Sequence, residues 1–181
     1  MTKSIDLYGD GIGKVEYVEH MGSDLTIVNS ARVSFGVHKE ELDERDIKLI
    51  KYLIKHKHTS TLEHNFITFR FKVPLFIRSQ HHRHRTWSYN EISRRYTDVN
   101  LEFYQPKQFS REQARGVLPQ NLYTEYYGTT NLNNLMKFIG LRMHDGAQWE
   151  IQLVAKACLD IAEELYPVTV AAYREVLDEN R

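Results

Sequence analysis

The chain is short of cysteine, of proline and of net charge. Its 181 residues include one cysteine, Cys158, which excludes an internal disulfide and argues against the oxidising compartments where small domains rely on such links. Proline occurs only at positions 74, 106, 119 and 167, each at the edge of a candidate element. No repeat, low-complexity tract or Pro/Gly/Ser-rich linker divides the chain. With 41% hydrophobic content at this length, one domain over residues 1–181 with a real core is the expectation. An apolar run of about 18 residues and a cleavable leader are both missing, which predicts a cytoplasmic protein with no membrane partner. The 24 basic residues balance 24 acidic ones, so no general polyanion-binding surface is implied and nucleic acid is not an expected partner.

What is present alternates between two periods. "KVEYVEHM" (14–21) alternates like a strand, and "SDLTIVNSARVSF" opens on Ser23, a good N-cap, and reads as a helix. In "EELDERDIKLIKYLIKHKH" Ile47, Ile50, Leu53 and Ile54 recur at helical spacing, with acids early and Lys/His late as the helix dipole favours. "EHNFITFRFKVP" switches to period two, with Ile67, Phe69, Phe71 and Val73 on one face. Pro74 suits the start of a helix, "PLFIRSQHHRHR", while "TWSYNEISRRY" has no sustained period and reads as largely a loop. "LEFYQ" and "NLYTEYYGTT" read as strands; "REQARGV", "NLNNLMKFIGLRM", "QWEIQLVAKACLDIAEELY" and "VTVAAYREVL" read as helices. The expected fold class is α+β, a central, mostly antiparallel sheet flanked by helices.

Against the neutral whole, residues 83 to 96, "RHRTWSYNEISRRY", set four arginines and a histidine against one glutamate. If the helix from Pro74 ran through this stretch, Gln80, Arg83 and His84 would share one face and Arg78, His81 and Arg85 a neighbouring one. Like charges at that spacing repel, and a bound anion would relieve them. The stretch uses arginine and no lysine, and planar guanidinium forks suit bidentate contact with phosphate. Ser88, Asn90, Glu91 and Ser93 add acceptors for sugar hydroxyls and base N–H groups, the profile of a nucleotide ligand. Two rival classes fit parts of the pattern. A metal-dependent hydrolase would draw on "HHRH" and "KHKH", but those spacings do not converge as H-E-x-x-H does and the arginines repel a cation. No metal is expected. An RNA- or nucleotide-binding module would stack bases on Trp87, Tyr89 and Tyr96, a reading that the neutral net charge weakens.

The same fourteen residues match R-H-R-x-x-S-x-N-E-x-S-x-R-Y at every fixed position from Arg83 to Tyr96, and the chain resembles the flavin-dependent thymidylate synthases. The resemblance extends through "ARVSF" (31–35), "HTSTLEH" (58–64), "ARGVLPQNLYT" (114–124), "NLNNLMKFIGLR" (131–142) and "AQWEI" (147–151). It implies synthesis of dTMP from dUMP, with methylenetetrahydrofolate as one-carbon donor and NADPH as reductant through FAD. It also implies a homotetramer with active sites shared between subunits. By this resemblance Gln80, Arg83, Glu91, Ser93, Arg95, Arg115 and Arg142 contact dUMP, Arg115 reaching into a neighbouring subunit's site. Ser60, Arg83, His84, Arg85, Glu91 and Asn131 resemble flavin contacts, and His58 and Tyr96 flank the folate.

Arg142 is the expected catalytic residue, polarising the uracil ring as a permanent cation that stabilises developing negative charge. Cys158 shares an apolar stripe with Val154, Ala157 and Ile161, so it reads as core and not as a nucleophile. Ser93 lacks a suitably placed His-Asp pair and reads as a positioning residue. The chain departs from the family pattern twice. Only "PKQFS" separates the strand at 101–105 from the helix at 110–117, where relatives carry a further helical segment, and Lys137 stands where many place Asn or His.

Overall fold

A computed structural model describes residues 3–93, 101–104 and 119–179. Five strands, β1 (Ser4–Asp6), β2 (Lys14–Met21), β3 (Phe66–Pro74), β4 (Ser88–Glu91) and β5 (Tyr123–Asn131), form one sheet in the order β1-β2-β3-β5-β4. Every pairing in it is antiparallel. Among the described residues six helices accompany it: α1 (Asp24–Arg32), α2 (Glu44–Lys55), α3 (Leu75–His81), α4 (Leu132–Arg142), α5 (Trp149–Leu165) and α6 (Pro167–Glu179). The α+β expectation holds.

The period-two pattern of β3 decides the layering. Ile67, Phe69, Phe71 and Val73 are buried, and they join Val154, Cys158 and Phe138 from the helices in one core cluster. The opposite face carries polar cross-strand pairs: Arg70 bonds Glu125 through Nε at 2.9 Å, and Thr68 meets Thr129 at 3.0 Å. Lys72 pairs with Glu102 on the same face.

Three stretches differ from the periodicity reading. The helix from Pro74 stops at His81 and does not run through the cationic stretch. Beyond its end the chain turns, with His84 N bonding His81 O at 2.9 Å and the single Tyr89 hydroxyl proton shared between the carbonyls of His81 at 2.9 Å and His84 at 3.1 Å. The shared faces expected for Gln80, Arg83 and His84, and for Arg78, His81 and Arg85, therefore do not form. Residues 88–91, read as loop, pair with β5 as β4, because Trp87 and Tyr89 anchor them against the core. "LEFYQ" contributes only an isolated bridge, Phe103 to Leu122, among the described residues. The helix expected at 110–117 lies outside them. No described helix is long and apolar enough to cross a membrane.

The α2 C-terminus steers the chain toward the site. Lys57 adopts φ 56°, a left-handed position that glycine usually fills. Its amide bonds Ile54 O at 3.1 Å while His58 N bonds Leu53 O at 2.8 Å, closing the helix and delivering the short 3-10 turn Thr59–Leu62 to the start of α4.

Candidate active site

Helix α4 organises the candidate residues at its two ends. Asn131 is its N-cap, with Oδ1 accepting from Asn134 N at 3.0 Å, so its Nδ2 remains as a donor. Leu132 N bonds Asn65 O at 2.8 Å and Asn133 Nδ2 bonds Glu63 Oε1 at 2.8 Å, which ties the turn carrying Ser60 to this end. His58 stands beside it, exposed, with its ring 5.8 Å from that of Tyr52.

Arg142 closes the other end of α4, roughly 16 Å along the axis at 1.5 Å per residue. Its Nε donates to His84 Nε2 at 3.1 Å and its Nη2 to Gln80 O at 3.3 Å. Two candidate dUMP contacts and one candidate flavin contact thus meet, Gln80 and His84 from the end of α3 and the turn after it, Arg142 from about sixty residues on. Burial, with Arg142's charge added, pushes the His84 imidazole down to about 4. His84 is therefore neutral at pH 7, with Nε2 accepting and the proton on Nδ1. Burial and the nearby Arg83 charge also lower the Arg142 pKa. Among the described residues no carboxylate pairs with Arg142, so an anionic or anion-forming ligand would stabilise the cation there.

A second cluster lies along the β4–β5 edge. Glu91 accepts from Thr124 Oγ1 at 2.6 Å and stands 3.2 Å from Arg78 Nε. Neither Arg78 nor Thr124 is among the ligand contacts expected from the sequence, yet they hold the carboxylate between them. Arg83 and Arg85 are exposed and have no acidic partner among the described residues. Ser93 lies just beyond β4 and is half-buried. Arg95, Tyr96 and Arg115 lie outside the described residues.

His81 corrects the picture of two uniformly cationic faces. It is fully buried, with Nδ1 2.8 Å from Tyr126 OH and its ring against Phe71, Trp87 and Phe138. Burial, then the neighbouring His84, His82 and Arg142, push its pKa well below the usual histidine range. It serves as a neutral core residue beneath the site. Among the described residues no cluster of His, Cys, Asp and Glu could hold a metal ion.

The donor chemistry fits a flavin dinucleotide. Ser60 hydroxyl, Asn131 Nδ2, His84 Nδ1 and the guanidinium groups of Arg83 and Arg85 are all hydrogen-bond donors, and a pyrophosphate only accepts. They stand at both ends of one helix, as an elongated ligand requires.

The family model described as thymidylate synthase complementing protein matches residues 16–111 and 107–168. The flavin-dependent thymidylate synthase of Thermotoga neapolitana is 39% identical, over 89% of this chain and 90% of the relative. That of Thermus thermophilus is 38% identical, over 92% of this chain and 77% of the relative. A solved structure of PolB from Streptomyces cacaoi, a UMP/dUMP methylase bound with 5-Br dUMP, superposes with TM-score 0.79 at 31% identity. That match covers 94% of this chain and 97% of PolB. The Thermotoga alignment runs over 196 residues while using 89% of a 181-residue chain, so the relative carries residues with no counterpart here.

Proposed function

This chain belongs to the flavin-dependent thymidylate synthase family, and on that premise we propose that it forms dTMP by reductive methylation of dUMP. The one-carbon donor is methylenetetrahydrofolate and the reductant NADPH. FAD, when bound, supplies the hydride chemistry that links the two. The observation that carries the reading is the meeting of Arg142, His84 and Gln80 at the end of α4. Arg142 is aimed by its bonds to His84 and Gln80, which leaves its other N–H groups to meet the uracil oxygen where charge develops. His84, Arg83, Arg85, Ser60 and Asn131 hold the dinucleotide, while Gln80, Glu91 and Ser93 position the nucleotide. Arg95 and Arg115 complete the phosphate contacts, and Tyr96 and His58 flank the folate. PolB's binding of 5-Br dUMP supports a uridylate at this site.

No protein nucleophile takes part in this scheme. Cys158 is fully buried, and burial pushes its thiol well above the usual range. A homotetramer with shared sites accords with the exposed apolar side chains of Val33, Phe35 and Leu141. The shortened connection between 101–105 and 110–117 accords with the two matched segments meeting at 107–111. One cysteine and no described membrane-crossing helix accord with a cytoplasmic location. The test is the full reaction: purified protein loaded with FAD, given dUMP, methylenetetrahydrofolate and NADPH, forms dTMP, and omission of any one abolishes it. Absence of dTMP from folded, flavin-loaded protein would overturn the assignment.

A further inference from the structure

We infer that Glu150, acting through Gln148, is a positioning residue that fixes which way the Gln80 amide faces at the nucleotide site. The inference rests on the proposed placement of Gln80 beside dUMP and adds two residues that are not among the expected ligand contacts. Glu150 is fully buried in the first turn of α5. Its Oε2 accepts from Gln148 Nε2 at 2.9 Å, and its Oε1 from Tyr104 OH at 3.3 Å. A carboxylate only accepts, so Gln148 must turn its NH2 toward Glu150 and its oxygen away. That oxygen, Oε1, accepts from Gln80 Nε2 at 2.6 Å. Gln80 is thereby locked, its NH2 committed to Gln148, its Oε1 without a partner among the described residues. The backbone of the same residue receives Arg142.

Local structure alone does not explain Gln148. It occupies the N-cap of α5, where Ser, Thr, Asp or Asn would be preferred, and its side chain makes no capping bond. The side chain reaches across to α3 instead.

Polarity gives a test that a packing role would not mimic. In Glu150→Gln the new amide can satisfy Tyr104 with its oxygen and turn its NH2 to Gln148, reversing both downstream amides. Gln80 would then offer NH2 outward where it offered oxygen. The exchanged pair Gln148→Glu with Glu150→Gln restores the original direction, since the carboxylate now at 148 accepts from both neighbours. The measurement is the dUMP dissociation constant of flavin-loaded protein, alongside kcat and flavin absorbance. Glu150→Gln is expected to weaken dUMP about tenfold, the scale of one misdirected hydrogen bond, with flavin content unchanged and kcat within about threefold. The exchanged pair regains most of the affinity. Gln148→Met, which cuts the chain at its less buried member, serves if Glu150→Gln does not fold, and should show a smaller loss, because it releases the Gln80 amide where Glu150→Gln reverses it. Native affinity in a folded Glu150→Gln or Gln148→Met protein, or no recovery in the exchanged pair, overturns the relay. Gln80→Leu separates the two layers: unchanged dUMP binding there removes Gln80 from the nucleotide site itself.

Discussion

Arg142→Ala is expected to keep its flavin, to be reduced by NADPH, and to lose methyl transfer by about two to three orders of magnitude, the scale of deleting one preorganised electrostatic stabiliser. The guanidinium is held by Nε on His84 and Nη2 on the Gln80 carbonyl, so its direction is set before any substrate arrives. Interactions set in advance count most where charge appears during the reaction, and turnover should fall further than ground-state dUMP binding. Arg142→Lys should recover only part, because an ammonium cannot bond His84, the Gln80 carbonyl and a ligand in the same fixed plane. Single-turnover dTMP formation at saturating dUMP in the three proteins makes the comparison. A near-normal rate in the alanine variant would leave Arg142 as a helix-end charge and shift polarisation to another arginine.

Asp24→Ala is expected to cost about 3 kcal/mol of stability and to lower the melting temperature by about 6–12 °C, on the usual scaling for chains of this size. Asp24 opens α1 yet caps α6. Its carboxylate, 5% exposed, accepts from Val168 N and Thr169 N at 3.0 Å each and from the Thr169 hydroxyl at 2.5 Å. Those amides lie in the first turn of α6, where a local N-cap would otherwise serve. Alanine leaves three donors without an acceptor. Asparagine keeps one oxygen but turns an NH2 toward a donor, and should lose about half as much. Thermal and urea unfolding of both variants give the values. Equal stability of the alanine variant would show that water satisfies the α6 terminus as well as Asp24 does.

What the sequence reveals about this fold depends on how local each cause is. The alternation in β3 and the helical recurrence of Ile50, Leu53 and Ile54 in α2 follow from neighbours on one element, and both are readable. The burial of Cys158 also follows from nearby residues. The end of α3 does not. The carbonyls past it are satisfied by the Tyr89 hydroxyl, supplied by the strand that follows, and no helical period can announce that. Asp24 is equally silent, because its Thr169 donors lie 145 residues on. At the site, the motifs bring Gln80, His84 and Arg142 into view separately, and only the fold puts them in contact. Gln148 and Glu150 sit within "AQWEI" with no chemical pattern of their own. Their meaning lies in a direction of hydrogen bonding that spacing does not encode.

The central claim, reductive methylation of dUMP without a protein nucleophile, is tested most directly by dTMP formation in flavin-loaded Cys158→Ala. The thiol is buried in the α5 core stripe and its pKa is raised. The substitution removes only a small buried group and should cost about 1 kcal/mol or less in folding. With FAD, NADPH, methylenetetrahydrofolate and dUMP supplied, the variant is predicted to form dTMP at a rate within about twofold of the native protein. A folded Cys158→Ala protein that binds flavin and dUMP but makes no dTMP would contradict the account.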